Sequence, residues 1–195
     1  MVAKTRKGYA ELLNELQKAD TEFKKAFKEI GSWRSRDKAA TAKAQKKLDE
    51  FHKQLHIFFG EYLQPLSNRL LAGDLKAVDD LMEFLVVDVP VFRTGYIKEW
   101  YYRKLKKLSL SEAQIQKLRE IAINRCISTE HRREDSELRR LMIKLADAEF
   151  LKRVAELPDS LNPHVRRRRM LMIEVVVRGR VDLQKALGVV PKPRY

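Results

Sequence analysis

The sequence predicts an all-α fold, and three observations carry that prediction. Seven glycines and six prolines in 195 residues leave little room for the many tight turns of an all-β chain. Apolar residues recur at spacings of three and four along most of the chain, which places them on single helical faces. A content of 44% apolar and 35% charged residues describes a helix-rich globular protein and not a disordered one. The length suits one substantial core, or a core with an appended hairpin. The expected architecture is an N-terminal helical hairpin over 1–72, then about three stacked antiparallel helix pairs over 73–188. Those pairs would form a right-handed solenoid or a compact bundle, and an irregular tail over 189–195 would follow.

In chain order, Leu12, Leu13, Leu16, Ala19, Phe23, Ala26, Phe27 and Ile30 form one stripe of a first helix over 9–30, which Gly31-Ser32 interrupts. A second helix is alanine- and lysine-rich over 38–47 and continues as the stripe Leu48, Phe51, Leu55, Phe58, Phe59 and Tyr62. Pro65 ends or kinks it. The lysine-rich half is expected to be exposed and mobile. Gly73-Asp74 reads as a helix stop followed by an N-cap, opening a helix with Leu75, Val78, Leu81, Met82 and Leu85. A turn at Asp88-Val89-Pro90 leads into a helix over about 91–108. Ser111 caps the next, with Glu112 in its first turn. It carries Ile115, Leu118, Ile121, Ala122 and Cys126, and yields near Ser128-Thr129 to a mixed-charge helix through Arg132, Leu138, Leu141, Met142 and Leu145. The third pair is 148–157, closed by Pro158, and 165–177, closed by Gly179. The second of these is apolar almost all round, as a helix sandwiched between neighbours should be. A short helix over 182–187 precedes Gly188.

One phrase occurs twice. Asp88-Val89-Pro90-Val91-Phe92-Arg93 and Leu161-Asn162-Pro163-His164-Val165-Arg166 each place a proline after a turn, then a hydrophobic residue and an arginine at the start of a helical run. The two arginines lie 73 positions apart, about twice a helical-repeat period of roughly 33–47 residues. Glu130-His131-Arg132-Arg133 falls near the midpoint. Residues 74–187 thereby resemble the HEAT-like class of α-helical repeats, although the middle pair lacks the proline. The resemblance implies a curved binding surface and a structural part for Asp88, Pro90, Phe92, Arg93, Pro163, Val165 and Arg166, the arginines making contacts between repeats. It implies no ligand, and a generic helical bundle is the alternative.

A formal charge of +14 favours phosphate backbones, anionic membranes or acidic protein surfaces as partners. The excess is spread over 1–72, 73–146 and 147–195 and not packed into one tail. The single cysteine, Cys126, excludes an internal disulfide and a cysteine-based zinc cluster within one chain. The N-terminus shows acids where a signal peptide needs an apolar stretch, and no apolar run reaches the roughly 18 residues of a membrane span. A cytoplasmic location is the expectation.

For chemistry the inventory is poor. There is no glycine-rich phosphate loop, no Gly-x-Ser-x-Gly elbow and no supported carboxylate pair. No catalytic, cofactor-binding or metal-binding residues are assigned and no cofactor is expected. His52 and His56 share a helical face but lack the third ligand of a zinc site, and they are expected to border the Leu55/Phe59 stripe. Cys126 reads as a small core residue, and Asp79-Asp80 and Glu134-Asp135 as solvated faces. HEAT-like enzymes acting on DNA bases exist, so catalysis is one alternative class, without an identifiable residue set.

The candidate residues for an anionic partner are Tyr102, Arg103, Lys104, Lys106 and Lys107, within the aromatic and basic run 98–107, and Arg167 and Arg168, within the run Arg166–Arg169. Arg166 is expected to make an internal contact. The deciding feature in the first run is whether Tyr102 and Lys106 project beside Arg103. The expected function is a non-enzymatic binding protein that presents a basic surface to an acidic macromolecule, a protein first. Nucleic acid through 98–107 and 166–169 is the second candidate partner. Homo-oligomerisation through the N-terminal hairpin is a further candidate association.

Overall fold

A computed structural model of the chain describes residues 8–34, 37–87, 94–129 and 134–186. The described residues contain helices and no strand, so the all-α expectation holds. The chain divides into two compact units, Met1–Leu81 and Met82–Tyr195. Asp88, Pro90, Phe92 and Arg93, the segment 130–133 and the tail 189–195 lie outside the described residues, so the first copy of the repeated phrase is not seen.

In the first unit, α1 (Tyr9–Ile30) buries Leu12, Leu13, Leu16, Ala19, Ala26 and Ile30, the stripe that its spacing predicts. It stops at Gly31, whose φ of 66° suits glycine and whose N–H bonds the Phe27 carbonyl. Helix α2 (Lys38–Phe58) starts at Asp37, whose carboxylate accepts the Ala40 N–H at 2.9 Å. The lysine-rich half of α2 is docked and not free. Ala44 is fully buried against Ala26 and Ile30, with Phe27 and Ala40 packed beside them. Lys43 pairs with Glu29 at 2.8 Å and Lys47 pairs with Glu22. Alanine presents so small a side chain that the two helices approach closely while the lysines stay at the surface. Phe23 stacks on Phe51 across the same pair at 6.1 Å.

Pro65 neither ends this helix nor leaves it regular. Proline offers no N–H and its ring clashes with the carbonyl four residues back. The turn before it widens into a π-helical segment, Phe59–Leu63, in which the Gln64 N–H reaches the Phe59 carbonyl. The chain then resumes as α3 (Gln64–Leu71). Gly73, with φ 81°, closes α3. Asp74 accepts the Lys76 N–H at 2.9 Å and opens α4 (Lys76–Val87). Arg69 clamps this turn, donating to Asp74 at 2.7 Å and also to Asp80.

The second unit begins within α4 and continues through α5 (Thr94–Leu105), α6 (Glu112–Ile127), α7 (Asp135–Leu145), α8 (Ala148–Ala155), α9 (Pro163–Gly179) and α10 (Val181–Ala186). Phe84 on α4 meets Tyr101 on α5 edge-on at 5.9 Å. Ser111 and Gln114 form a full capping box at the start of α6. Long-range bonds fix the helix directions. Arg125, late in α6, bonds Asp135 at the start of α7, while Arg119, earlier in α6, bonds the Leu145 carbonyl at the end of α7. These two helices are therefore antiparallel.

Arg168 near the start of α9 meets Asp135, and Arg180 just past its end meets the Ile143 carbonyl, so α7 and α9 run parallel. Helix α5 also packs on α7. The end of α5 is tied to both ends of α7, Lys106 bonding Glu137 while Lys144 reaches the Lys106 and Leu108 carbonyls. Helix α7 thus packs on both α5 and α9, antiparallel to α6 and parallel to α9. Leu141 and Met142 at the centre of this layer have no exposure, and truncating either to alanine should cost about 2–5 kcal/mol.

Candidate anionic-partner surface

Helix α5 buries Thr94, Lys98, Tyr101, Tyr102 and Leu105, a single face by spacing. Tyr102 is only 2% exposed, so it does not project beside Arg103 as a contact for a partner. The reason is its register, one residue past Tyr101 and three before Leu105 on the inward side of the helix. Lys98 is buried as well and lies over the Phe84 ring, 5.5 Å from its centroid.

The basic residues that follow are largely committed inside the unit. Glu137 on α7 is buried and receives Lys106 at 2.8 Å, Arg140, and Arg103 at 3.6 Å, while Arg103 also pairs with Glu99. Burial alone would push the Glu137 carboxyl up, but the bonds from Lys106 and Arg140 outweigh it and hold the pKa below the ordinary glutamate value. Lys104 lies 5.1 Å over the Trp100 ring. Lys107 is exposed and makes no ion pair among the described residues.

Helix α9 begins at Asn162, whose side chain accepts the His164 N–H at 2.9 Å, with Pro163 in its first turn. Its buried face is Val165, Arg168, Met172 and Val176. The arginine run therefore points several ways. Arg168 faces inward and is 5% exposed, so it is not available to a partner. Arg169 donates to the Leu157 carbonyl at 2.6 Å and to Asp159 at 2.9 Å. Arg166 and Arg167 are exposed and unpaired among the described residues. The internal contact expected of Arg166 belongs to Arg168, because position 168 lies one turn from both Val165 and Met172 while 166 lies on the other side.

Beneath these residues is a charge cluster that sequence reading missed. Asp135 accepts Arg125 Nε at 3.0 Å and Nη2 at 2.9 Å on one oxygen, and Arg168 Nε at 3.1 Å on the other. Arg168 also donates to the Arg125 and Ser128 carbonyls. Glu134, Asp135 and Glu137 are all buried and form no solvated face. The available signal was Arg168, which shares the helical face of Val165, Met172 and Val176. Arg139, one turn beyond Asp135, is half-buried and forms no hydrogen bond or ion pair among the described residues.

Cys126 lies next to this cluster with no exposure, and burial pushes its thiol up to about 12. A nucleophile needs the opposite shift. His52 and His56 are exposed, and no cluster of three or more metal-ligating side chains occurs among the described residues. No described helix is long and apolar enough to cross a membrane. Neither a protein-family model, a characterised protein nor a solved structure matches this chain.

Proposed function

We propose that this chain is a non-enzymatic helical binding protein that presents a basic surface to an acidic partner protein. The supporting observation is the unequal burial of its charges. Asp20, Glu99, Glu134, Asp135 and Glu137 are buried, against Lys98, Arg125 and Arg168. Among the described residues, burial thus withdraws more acid than base, which leaves their surface more positive than their composition alone. Lys107, Arg166 and Arg167 stand on that surface without carboxylate partners among the described residues. Helices packed as α5, α7 and α9 are, with α7 against both of the others, suit a binding face of the kind the HEAT-like resemblance implies.

Nucleic acid is the weaker partner class for this surface. Binding single strands through 98–107 would use an aromatic platform beside lysines, whereas Tyr101 and Tyr102 are buried and Lys104 covers Trp100. The test is binding of labelled polyglutamate at low and high salt to wild type and to a Lys107→Gln/Arg166→Gln/Arg167→Gln variant. Binding that weakens with salt and falls several-fold in the variant is expected. Equal binding by the variant would refute the use of this surface.

A further inference from the structure

Helices α4 and α6 leave a cavity of about 290 Å³ between them. Leu85 on α4 and Ile121 on α6, 1% and 6% exposed, form its apolar floor, and Val86, 59% exposed, forms one wall. Lys117, Glu120 and Asn124 stand at the opening, all of them exposed. Positions 117, 121 and 124 share a face of α6 by spacing, so one helix supplies both the floor and the polar rim.

The charges around the opening leave one cation. Glu120, the carboxylate among the lining residues, is held by two bonds from Arg153 on α8, one of them 2.9 Å long. Arg125 also lines the cavity, but its guanidinium is committed to Asp135 at 2.9 Å. Glu83, one turn before Val86, is exposed and does not line the cavity. Asp88 and Arg93, outside the described residues, cancel in formal charge. Lys117 makes no ion pair among the described residues. The opening therefore offers an ammonium group beside an apolar floor.

Resting on the acidic-partner function, we infer that this cavity seats an apolar side chain of the acidic partner, leucine-like in size, with a neighbouring carboxylate of the same segment meeting Lys117. Exposed ion pairs contribute little by themselves, and specific interfaces concentrate their energy in side chains that fill desolvated pockets. Pockets that hold a free ligand run from roughly 300 to 1,000 Å³ and cover most of its surface. This one is smaller, and Val86, Lys117, Glu120 and Asn124 leave it open to solvent. An anchor carried on a protein does not need enclosure, because the rest of that protein covers the opening.

The experiment is fluorescence anisotropy of two labelled glutamate-rich peptides that differ only in one central residue, leucine or serine. Each is titrated with the full chain as wild type, Val86→Ser, Asn124→Trp and, as a control at an exposed valine on α10, Val181→Ser. Wild type and Val181→Ser should bind the leucine peptide roughly five-fold or more tighter than the serine peptide, as burying most of one leucine predicts. Val86→Ser removes the wall and Asn124→Trp fills the opening, and each should lose most of that preference. Both substitutions lie at exposed positions, and either one that folds decides the test. Equal binding of the two peptides by wild type would overturn the inference and leave the basic-surface function standing. A preference kept in full by Val86→Ser or by Asn124→Trp would overturn the placement in this cavity. Free N-acetyl-leucine displacing the leucine peptide as well as the unlabelled peptide does would make the site one for small acids and overturn the protein anchor. No binding of either peptide would remove the basic-surface function and this inference with it.

Discussion

Replacing Asp135 with asparagine removes one charge, keeps the shape, and leaves Arg125 and Arg168 facing each other in the interior of the second unit. Each of these arginines is 5% exposed. Their other acceptors include Ser128 Oγ for Arg125, at 3.1 Å, and the Arg125 and Ser128 carbonyls for Arg168. Breaking a buried pair by removing one partner costs about 3–5 kcal/mol, because an uncompensated charge stays behind. Two charges share this carboxylate, so the upper part of the range is expected, and at about 2–4 °C per kcal/mol the melting temperature should fall by roughly 10–20 °C. Removing the whole cluster as Arg125→Met/Asp135→Leu/Arg168→Met should restore part of the loss, since apolar groups of similar volume leave no buried charge unpaired, although the Arg125 and Ser128 carbonyls lose the Arg168 donor. Urea unfolding followed by circular dichroism measures both, with m-values read separately because two units can unfold independently. A loss below about 1 kcal/mol in Asp135→Asn, the size of an exposed pair, would refute the compensation argument. A triple variant as unstable as the single one would refute it equally.

Three further outcomes follow from particular contacts. Gly179→Ala places a Cβ 2.5 Å from Ile143 Cγ2, so it should lose about 1–3 kcal/mol by overpacking, and adding Ile143→Ala should recover part of it in the same urea titration. Glu137, whose folded pKa is lowered, contributes stability that is present above the unfolded glutamate pKa and lost as pH falls through the folded value. Glu137→Gln should therefore flatten the acid side of the stability–pH profile, and an unchanged slope in melting temperature against pH would count against the Lys106 and Arg140 bonds. Cys126, buried with its thiol pushed up to about 12, should resist iodoacetamide in the native chain and react once urea unfolds it, as mass spectrometry would show. Equal rates in both states would contradict its burial.

Helix ends were the most legible part of the fold, because their causes are local. Gly31, Gly73, Asp74, Ser111 and Asn162 act within a few residues of themselves, and each marks a boundary in the structure. Apolar spacing likewise gave the buried face of α1, whereas α9, expected to be apolar almost all round, buries one face through Val165, Met172 and Val176 and leaves Met170 exposed. The widened turn before Pro65 was illegible, since a proline signal does not say whether a helix stops or adjusts its pitch. Charge was the least legible property. Glu134 and Asp135 look solvated in a one-dimensional reading, yet both are buried, and the partners of Asp135, Arg125 and Arg168, come from other helices at separations that periodicity does not connect. Of the candidate site, Lys107 and Arg167 are at the surface as expected, whereas Tyr102 and Arg168 turn inward because register along the helix, not residue type, sets direction.

The central claim is that the exposed positive charge is a binding surface for an acidic protein. The most direct test is fluorescence anisotropy of labelled polyglutamate and of single- and double-stranded oligonucleotides, each titrated with this protein and with a basic control protein of equal net charge, at two salt concentrations. Polyglutamate binding tighter than the control, weakening with salt and exceeding the preference for oligonucleotides, is the predicted result. Polyglutamate binding no tighter than the control protein's would contradict it.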